Sequence, residues 1–229
     1  RDGELKHPYH TSWGVSTRLI GGIIMVHGDN RGLVLPPGIA PVQAVIVPIA
    51  AHKGNVMETV DEIFLDMKDR IRVEVDDREN YSPGWKFNEW EMKGVPVRIE
   101  IGPKDIEKNQ AMLFRRDTLE KEAVPISEIK ERVEQLLKDI HKNLLLKAKN
   151  MRDEKTYYIK NFDEMKEIMK TKPGFVKAAW CQERECEDKI KAETGASVRC
   201  IPFEQEKLGD TCPFCGREAK VMAYFAKAY

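Results

Sequence analysis

Four cysteines near the carboxyl end carry the most specific chemistry in the sequence. Cys181 and Cys186 are separated by four residues, Cys212 and Cys215 by two, and the second pair sits in CPFCG, whose glycine suits a metal knuckle. Two thiolate pairs satisfy one tetrahedral ion. Four soft sulfur ligands select zinc and leave no open position, so the site reads as structural rather than catalytic. A redox CxxC is the competing reading, and it leaves Cys181 and Cys186 unexplained. The fifth cysteine, Cys200 in SVRCIPF, reads as a small buried hydrophobe. An odd, bunched set of this kind suits metal ligation better than a disulfide framework and favours a reducing cytoplasm.

Elements of both periods are needed to position such groups. VQAVIVPIA (42–50) is a short β-branched run of the kind found in strands buried on both faces. Val56, Val60, Ile63, Phe64 and Met67 then recur at spacings of three and four, the stripe of an amphipathic helix, and IRVEV (71–75) alternates strictly. Together these predict a βαβ unit. VPVRIEI (95–101) and AMLFRR (111–116) predict further strands, the latter with a short partner before Pro125. Ser127 is the expected N-cap of a long helix ending near Asn150, with Glu128, Glu131 and Glu134 early and Lys147, Lys149 and Arg152 late, as the helix dipole favours. A helix at 163–170, strands at FVKAAW and SVRCIPF and an apolar ending, VMAYFAKAY, complete the chain. Upstream, residues 11–35 alternate glycines with apolar runs and predict a packed strand turning into a buried helix, closed by Pro36, Pro37 and Gly38.

Bulk properties narrow the function classes. With 229 residues, 41% of them hydrophobic and 33% charged, the chain has an ordinary globular balance rather than that of a disordered or membrane-spanning protein. The 38 basic and 38 acidic residues cancel, so any nucleic-acid contact must be local. The absence of an initial methionine reads as a fragment.

Two segments resemble the prolyl-tRNA synthetase family. HTSWGVSTRLIGGIIMVHGD (10–29) is similar to motif 3 of these class II enzymes, one wall of the ATP and amino-acid site. The resemblance implies that Arg18 and Ser16 contact ATP and that Trp13 and Gly14 help form the proline pocket. Chemically, Arg18 offers a permanently charged plane that can stack on adenine and bind phosphate bidentately. Taken singly, Trp13 reads by default as core, Gly14 as a turn and Arg18 as a surface ion-pair partner; the run as a whole outweighs that default. DDRENYSPGWKFNEWEMKGVPVRIEIGPKD (76–105) is similar to the anticodon-binding domain of archaeal and eukaryotic-like members. Splayed loop bases can be read there by charged groups and stacked on aromatic or guanidinium planes. Glu91, Arg98, Lys104, Asp105 and Arg116 are the candidate anticodon contacts, although Arg98 could also be a solvent-facing strand position and Trp85 and Trp90 core.

The resemblance implies a mixed α/β chain. Its parts are the end of a class II antiparallel catalytic sheet (1–37), a mixed-sheet anticodon-binding domain (38–152) and a small α/β zinc-binding domain (153–229). It further implies an ATP-dependent proline–tRNA ligase with Mg-ATP, L-proline and tRNA(Pro) as partners, a homodimer, and a terminal carboxylate on Tyr229 that approaches the active site. The other two class II motifs have no counterpart here, so this segment alone should be inactive. The alternative is a non-catalytic RNA-binding module derived from a synthetase.

Overall fold

Strand β1 (Ala44–Pro48) is buried along its whole length, which is why it reads as an unbroken apolar run. It lies parallel to both β2 (Val73–Val75) and β3 (Val97–Ile101) in a five-stranded sheet of order β2-β1-β3-β4-β5. β4 (Gln110–Arg115) and β5 (Lys121–Pro125) continue it antiparallel. The chain is thus mixed α/β with two mixed sheets, one in each of two units, Arg1–Leu145 and Leu146–Tyr229. The computed structural model describes residues 3–5, 10–172 and 174–228.

Alternation along the strands gives the first sheet two different faces. On one, Ile46, Ile99, Ile101 and Leu113 pack with Val60 and Ile63 of α2 (Val56–Met67) and with Val133, Leu136 and Ile140 of α5 (Ile129–Glu154). Each such side chain contributes about 1.5–3 kcal/mol on burial. On the other, Val45 and Val47 meet Trp90 and Val95 beneath α3 (Pro83–Met92). Arg98 and Glu100 also lie on this second face and are buried, so strand-like alternation here does not place them in solvent.

In the second unit, the sheet order is β6-β7-β9-β8, with β6 (Thr156–Tyr158) parallel to β7 (Phe175–Trp180) and the remaining pairs antiparallel. β9 (Val221–Lys227) is the strand formed by the apolar ending, and β8 (Ala196–Cys200) is its edge partner. Met165 of α6 (Phe162–Thr171), Ile190 of α7 (Arg184–Thr194), Val176 and Phe225 form the core, joined by Cys181, Cys186 and Cys212.

The observed elements depart from the expected ones in several places. Residues 10–16 form no strand among the described residues, and α1 (Arg18–His27) buries none of its residues instead of being a buried helix. Its apolar side chains find no opposing apolar surface among the described residues. A 3₁₀ turn (Ile126–Glu128) runs directly into α5, replacing the expected Ser127 cap, and α5 continues to Glu154 rather than ending near Asn150. The division between the units falls inside this helix. β8 stops at Cys200, and Cys200 is exposed rather than buried because it lies at the end of an edge strand. Pro202 then prevents continuation of the ladder.

Candidate metal centre and nucleic-acid interface

Three local structures converge on the cysteine cluster. Cys181 directly follows β7, and Gln182 with φ 62 turns the chain so that Cys186 falls in the first turns of α7. Cys212 and Cys215 sit on a tight turn closed by Gly216 N–H donating to the Cys212 carbonyl at 2.8 Å, with Gly216 at φ 72. Left-handed backbone of that kind is adopted readily by glycine. The four Sγ atoms all lie within 4.8 Å of one another, with Cys181 to Cys215 at 3.6 Å and Cys186 to Cys212 at 3.8 Å. Sulfurs about 2.3 Å from a central tetrahedral ion are separated by about 3.8 Å, so the four thiols fit one metal ion. Burial pushes the Cys186 and Cys212 thiols well up. The Cys215 thiol, by contrast, is lowered: burial raises it, but hydrogen bonds from the Arg217 backbone and the neighbouring thiols outweigh that. Lys220 and Arg217, paired with Glu183 and Glu185, put positive charge beside the cluster.

In the first unit, the carboxyl ends of the three parallel strands meet along one edge. A polar, open cavity of about 370 Å³ lies there, lined by Pro48, Ala50, His52, Arg78, Tyr81 and Lys86 among others. Clefts outside the carboxyl ends of parallel strands are where α/β sheets bind ligands. Ala50, at φ 51, holds a conformation unusual for a residue with a β-carbon. Tyr81 and Trp85 stack at 4.0 Å and 13°, both exposed, and the Arg78 guanidinium lies 5.0 Å and 5.4 Å from their ring centres. Ser82 and Pro83 start α3 at this point: the Ser82 hydroxyl caps the Trp85 N–H, and Pro83 occupies the first turn.

Asp76, at the end of β2, anchors the whole assembly. Its carboxylate accepts two bonds from Arg78, at 2.8 and 2.7 Å, and one from Trp90 Nε1 at 2.8 Å. Lys86, almost fully buried, donates to the Asp76 carbonyl at 2.8 Å. Arg78 also pairs with Glu89, so it is held on two sides. Burial raises the Asp76 carboxyl, but the Arg78 and Trp90 hydrogen bonds and the Lys86 charge outweigh it and hold the group at about 2.

A depressed carboxylate contributes stability that is complete above its unfolded value near 4 and is lost as pH falls through its folded value. The first unit should therefore lose roughly 2 kcal/mol from this group between about pH 4 and pH 2. Acid titration of the melting temperature would show a shallower drop in Asp76→Asn than in wild type. Equal slopes would contradict the assignment.

With this geometry in place, comparison with known proteins is informative. Residues 43–136 match the family model described as Anticodon binding domain, and residues 162–229 match Prolyl-tRNA synthetase, C-terminal. A proline–tRNA ligase of Alkaliphilus oremlandii is 73% identical over 229 residues, covering 100% of this chain and 48% of the relative. The chain belongs to the prolyl-tRNA synthetase family. Proline–tRNA ligase 2 of Clostridioides difficile is 61% identical over 230 residues. The crystal structure of the Cryptosporidium parvum prolyl-tRNA synthetase complexed with L-proline and AMP superimposes with a TM-score of 0.88 at 41% identity, covering 93% of this chain and 46% of that one. The chain thus spans about half the length of the synthetases that it matches.

Within this synthetase segment, the candidate residues fall into distinct settings. Trp13, Gly14, Ser16 and Arg18 are all exposed in this chain, Trp13 at 91%. Lys104 is exposed and Asp105 half-buried in the short helix α4 (Pro103–Glu107), where Asp105 accepts from the Gly102 N–H at 3.0 Å. These two stand on the same carboxyl edge as the cavity. Glu91, Arg98 and Arg116 are instead buried and engaged inside the unit. Arg98 lies between the Phe87 and Phe114 rings at 4.2 and 4.1 Å and bonds Glu100 with two nitrogens. Glu91 accepts from Arg31 at 2.8 Å, and Arg116 donates to Asp29 and to the Glu91 carbonyl. Their charges are satisfied by protein, because an unpaired charge on the covered face of a sheet would be too costly. Tyr229 lies outside the described residues.

Sequence reasoning alone did not single out Arg78, Tyr81 and Lys86. The signal available was Ser82-Pro83 followed by Trp85 and Trp90, a helix start carrying aromatic side chains.

Proposed function

We propose that the chain is part of an enzyme that activates L-proline with Mg-ATP and then esterifies it to tRNA(Pro). The observation that carries this reading is the 73% identity, extending over the whole chain, with a proline–tRNA ligase. In activation, the proline carboxylate attacks the ATP α-phosphate and pyrophosphate leaves; a ribose hydroxyl of the tRNA then attacks the resulting carbonyl and AMP leaves. Positioning and charge neutralisation carry such steps. Arg18 would stack on adenine and hold phosphate beside Ser16, with Trp13 and Gly14 at the proline pocket. Zinc on Cys181, Cys186, Cys212 and Cys215 would be structural. Cytoplasmic location and a homodimer complete the reading. No helix among the described residues is long and apolar enough to cross a membrane.

The first unit would read the anticodon along the carboxyl edge of its sheet. Lys104 and Asp105 would meet base edges and phosphate, and the Tyr81, Trp85 and Arg78 platform would stack an unpaired base. Glu91, Arg98 and Arg116 would serve the same surface by fixing α3 and β3 beneath it. Tyr81→Ala and Trp85→Ala should each weaken tRNA binding by roughly tenfold, as loss of a stacking partner of about 1–3 kcal/mol implies. Anisotropy titrations at one fixed salt concentration would measure this, and unchanged affinity in both variants would remove the platform from the RNA surface.

A non-catalytic RNA-binding module is not favoured, because it has no use for Arg18 beside the TSWG segment. In the full-length enzyme, Arg18→Ala should lower proline-dependent exchange of pyrophosphate into ATP by on the order of 10²–10³ in kcat/KM. Exchange at the wild-type rate would contradict the catalytic reading.

A further inference from the structure

A buried arginine links the segment bearing Arg18 to the helix bearing the aromatic platform. Arg116, just after β4, is 1% exposed and spends its whole guanidinium on two neighbours. Its Nε donates to the Glu91 carbonyl near the end of α3 at 2.9 Å, and its two terminal nitrogens grip the Asp29 carboxylate at 2.7 and 2.6 Å. Asp29 lies in the turn that leaves α1. The same turn is fastened again by Arg31 to the Glu91 carboxylate at 2.8 Å and by the Leu33 and Leu35 N–H groups to the Met92 and Gly94 carbonyls. Gly32, at φ 129, passes so close to α3 that a β-carbon there would come within 2.6 Å of the Met92 Cα. Only glycine permits this approach.

Within this chain, which spans about half the length of its relatives, these bonds tie the exit turn of α1 to α3. α3 is ten residues long, about 15 Å, and stiff over that length. At its amino end, Trp85 stacks on Tyr81; near its carboxyl end, Trp90 and Glu89 hold Asp76 and Arg78, and Glu91 and Met92 hold the α1 turn. A bidentate guanidinium–carboxylate pair fixes both distance and angle, which a lysine cannot do.

We propose that Arg116 is a positioning residue that, through Asp29, locks the exit turn of α1 onto the end of α3 and thereby sets where Arg18 stands during proline activation. This rests on the catalytic reading of Arg18 given above. Arg116, 1% exposed, would act through Asp29 rather than by contact with RNA or ATP.

The test uses the full-length enzyme with Arg116→Lys and Asp29→Asn, singly and together. Each single variant should lower the kcat/KM of proline-dependent pyrophosphate exchange tenfold or more, a larger factor than its effect on the tRNA dissociation constant. The double variant should be no worse than the poorer single one, because both remove the same clasp. Hydrogen–deuterium exchange should accelerate at least tenfold for amides of residues 19–35 while those of β1 and β3 stay protected, which separates loosening of the clasp from unfolding. Wild-type exchange kinetics in both variants would overturn the inference, as would unchanged amide protection at residues 19–35. So would weaker tRNA binding with intact activation, which would make Arg116 an RNA contact. Failure of the wild-type enzyme to exchange pyrophosphate with proline, together with the expected change in amide protection in the variants, would defeat the catalytic reading and leave the clasp standing.

Discussion

Cys186→Ser is expected to empty the proposed zinc site and destabilise the second unit. The four thiols are not an appendage: Cys181, Cys186 and Cys212 are part of the core with Met165, Ile190 and Phe225. Burial raises the Cys212 thiol that remains, so loss of the cation leaves it neutral in the core and returns the loop at 210–216 to the chain's own resources. Apart from the thiols, that loop is held by backbone bonds from Cys212 to Arg217, Gly216 to Cys212 and Ala219 to Asp210, and by Phe214, which packs in the core against Phe162 and Phe225. Structural zinc contributes on the order of 10 kcal/mol in small finger peptides. A unit with its own sheet and two helices should depend on it less, by about 3 kcal/mol, which lowers its melting temperature by roughly 10–20 °C. Strong chelation of the wild type should give the same shift. Metal analysis should return about one equivalent of zinc before and less than about half afterwards. A full complement of zinc in Cys186→Ser, or an unchanged melting temperature after chelation, would count against a four-thiolate site.

Asp76→Ala should be the most damaging substitution in the first unit, at about 3–5 kcal/mol. It strips three groups of their partner at once. Trp90 Nε1 loses its acceptor, Arg78 loses the carboxylate that orients its fork, and Lys86 loses the nearest negative charge while staying bonded to the backbone carbonyl. An orphaned buried donor alone costs about 1–3 kcal/mol. Asp76→Asn retains an acceptor for Trp90 and should cost about half as much. Because Arg78 lies against Tyr81 and Trp85, both variants should weaken tRNA binding beyond their effect on stability. Urea denaturation and anisotropy on the same samples would separate the two effects. A loss below about 1 kcal/mol in Asp76→Ala would show that the network does not hold this edge together.

Much of the fold was legible because its cores are regular. The β1 run, the three-and-four spacing of Val56 to Met67 and the long stripe of α5 each reflect one apolar surface, and all three elements form where the patterns lie. The cysteine spacing likewise foretold a cluster whose sulfurs do converge. α3 was hidden because it buries Lys86 and Glu91 with Trp90, so its inward face is partly charged and shows no apolar period. α7 was hidden for a similar reason: Cys186, Ile190 and Thr194 form a narrow inward stripe on an otherwise charged helix, and its strongest mark is Gly195, at φ 73, which closes its carboxyl end.

The buried charges explain the least legible part of the site. Arg98, Glu91 and Arg116 have the side chains expected of base-reading groups, and one-dimensional pattern gives no means of seeing that Phe87, Phe114, Arg31 and Asp29 would enclose or pair with them. Conversely, Arg78 and Tyr81 lie in a loop with no periodicity, and their convergence with Trp85 depends on β2 ending beside the start of α3.

The central claim is that this chain carries the anticodon-reading part of a proline-specific ligase, and charging of altered tRNA by the full-length enzyme tests it most directly. The family resemblance implies guanines at the two discriminating anticodon positions of the tRNA. Replacing both should lower the kcat/KM of prolylation by on the order of 10² or more, since each mismatched reading contact costs about 1–3 kcal/mol. Glu91→Ala and Asp105→Ala should lower it on the natural tRNA. Prolylation that is indifferent to both anticodon guanines, or absent with natural tRNA(Pro), would contradict the account.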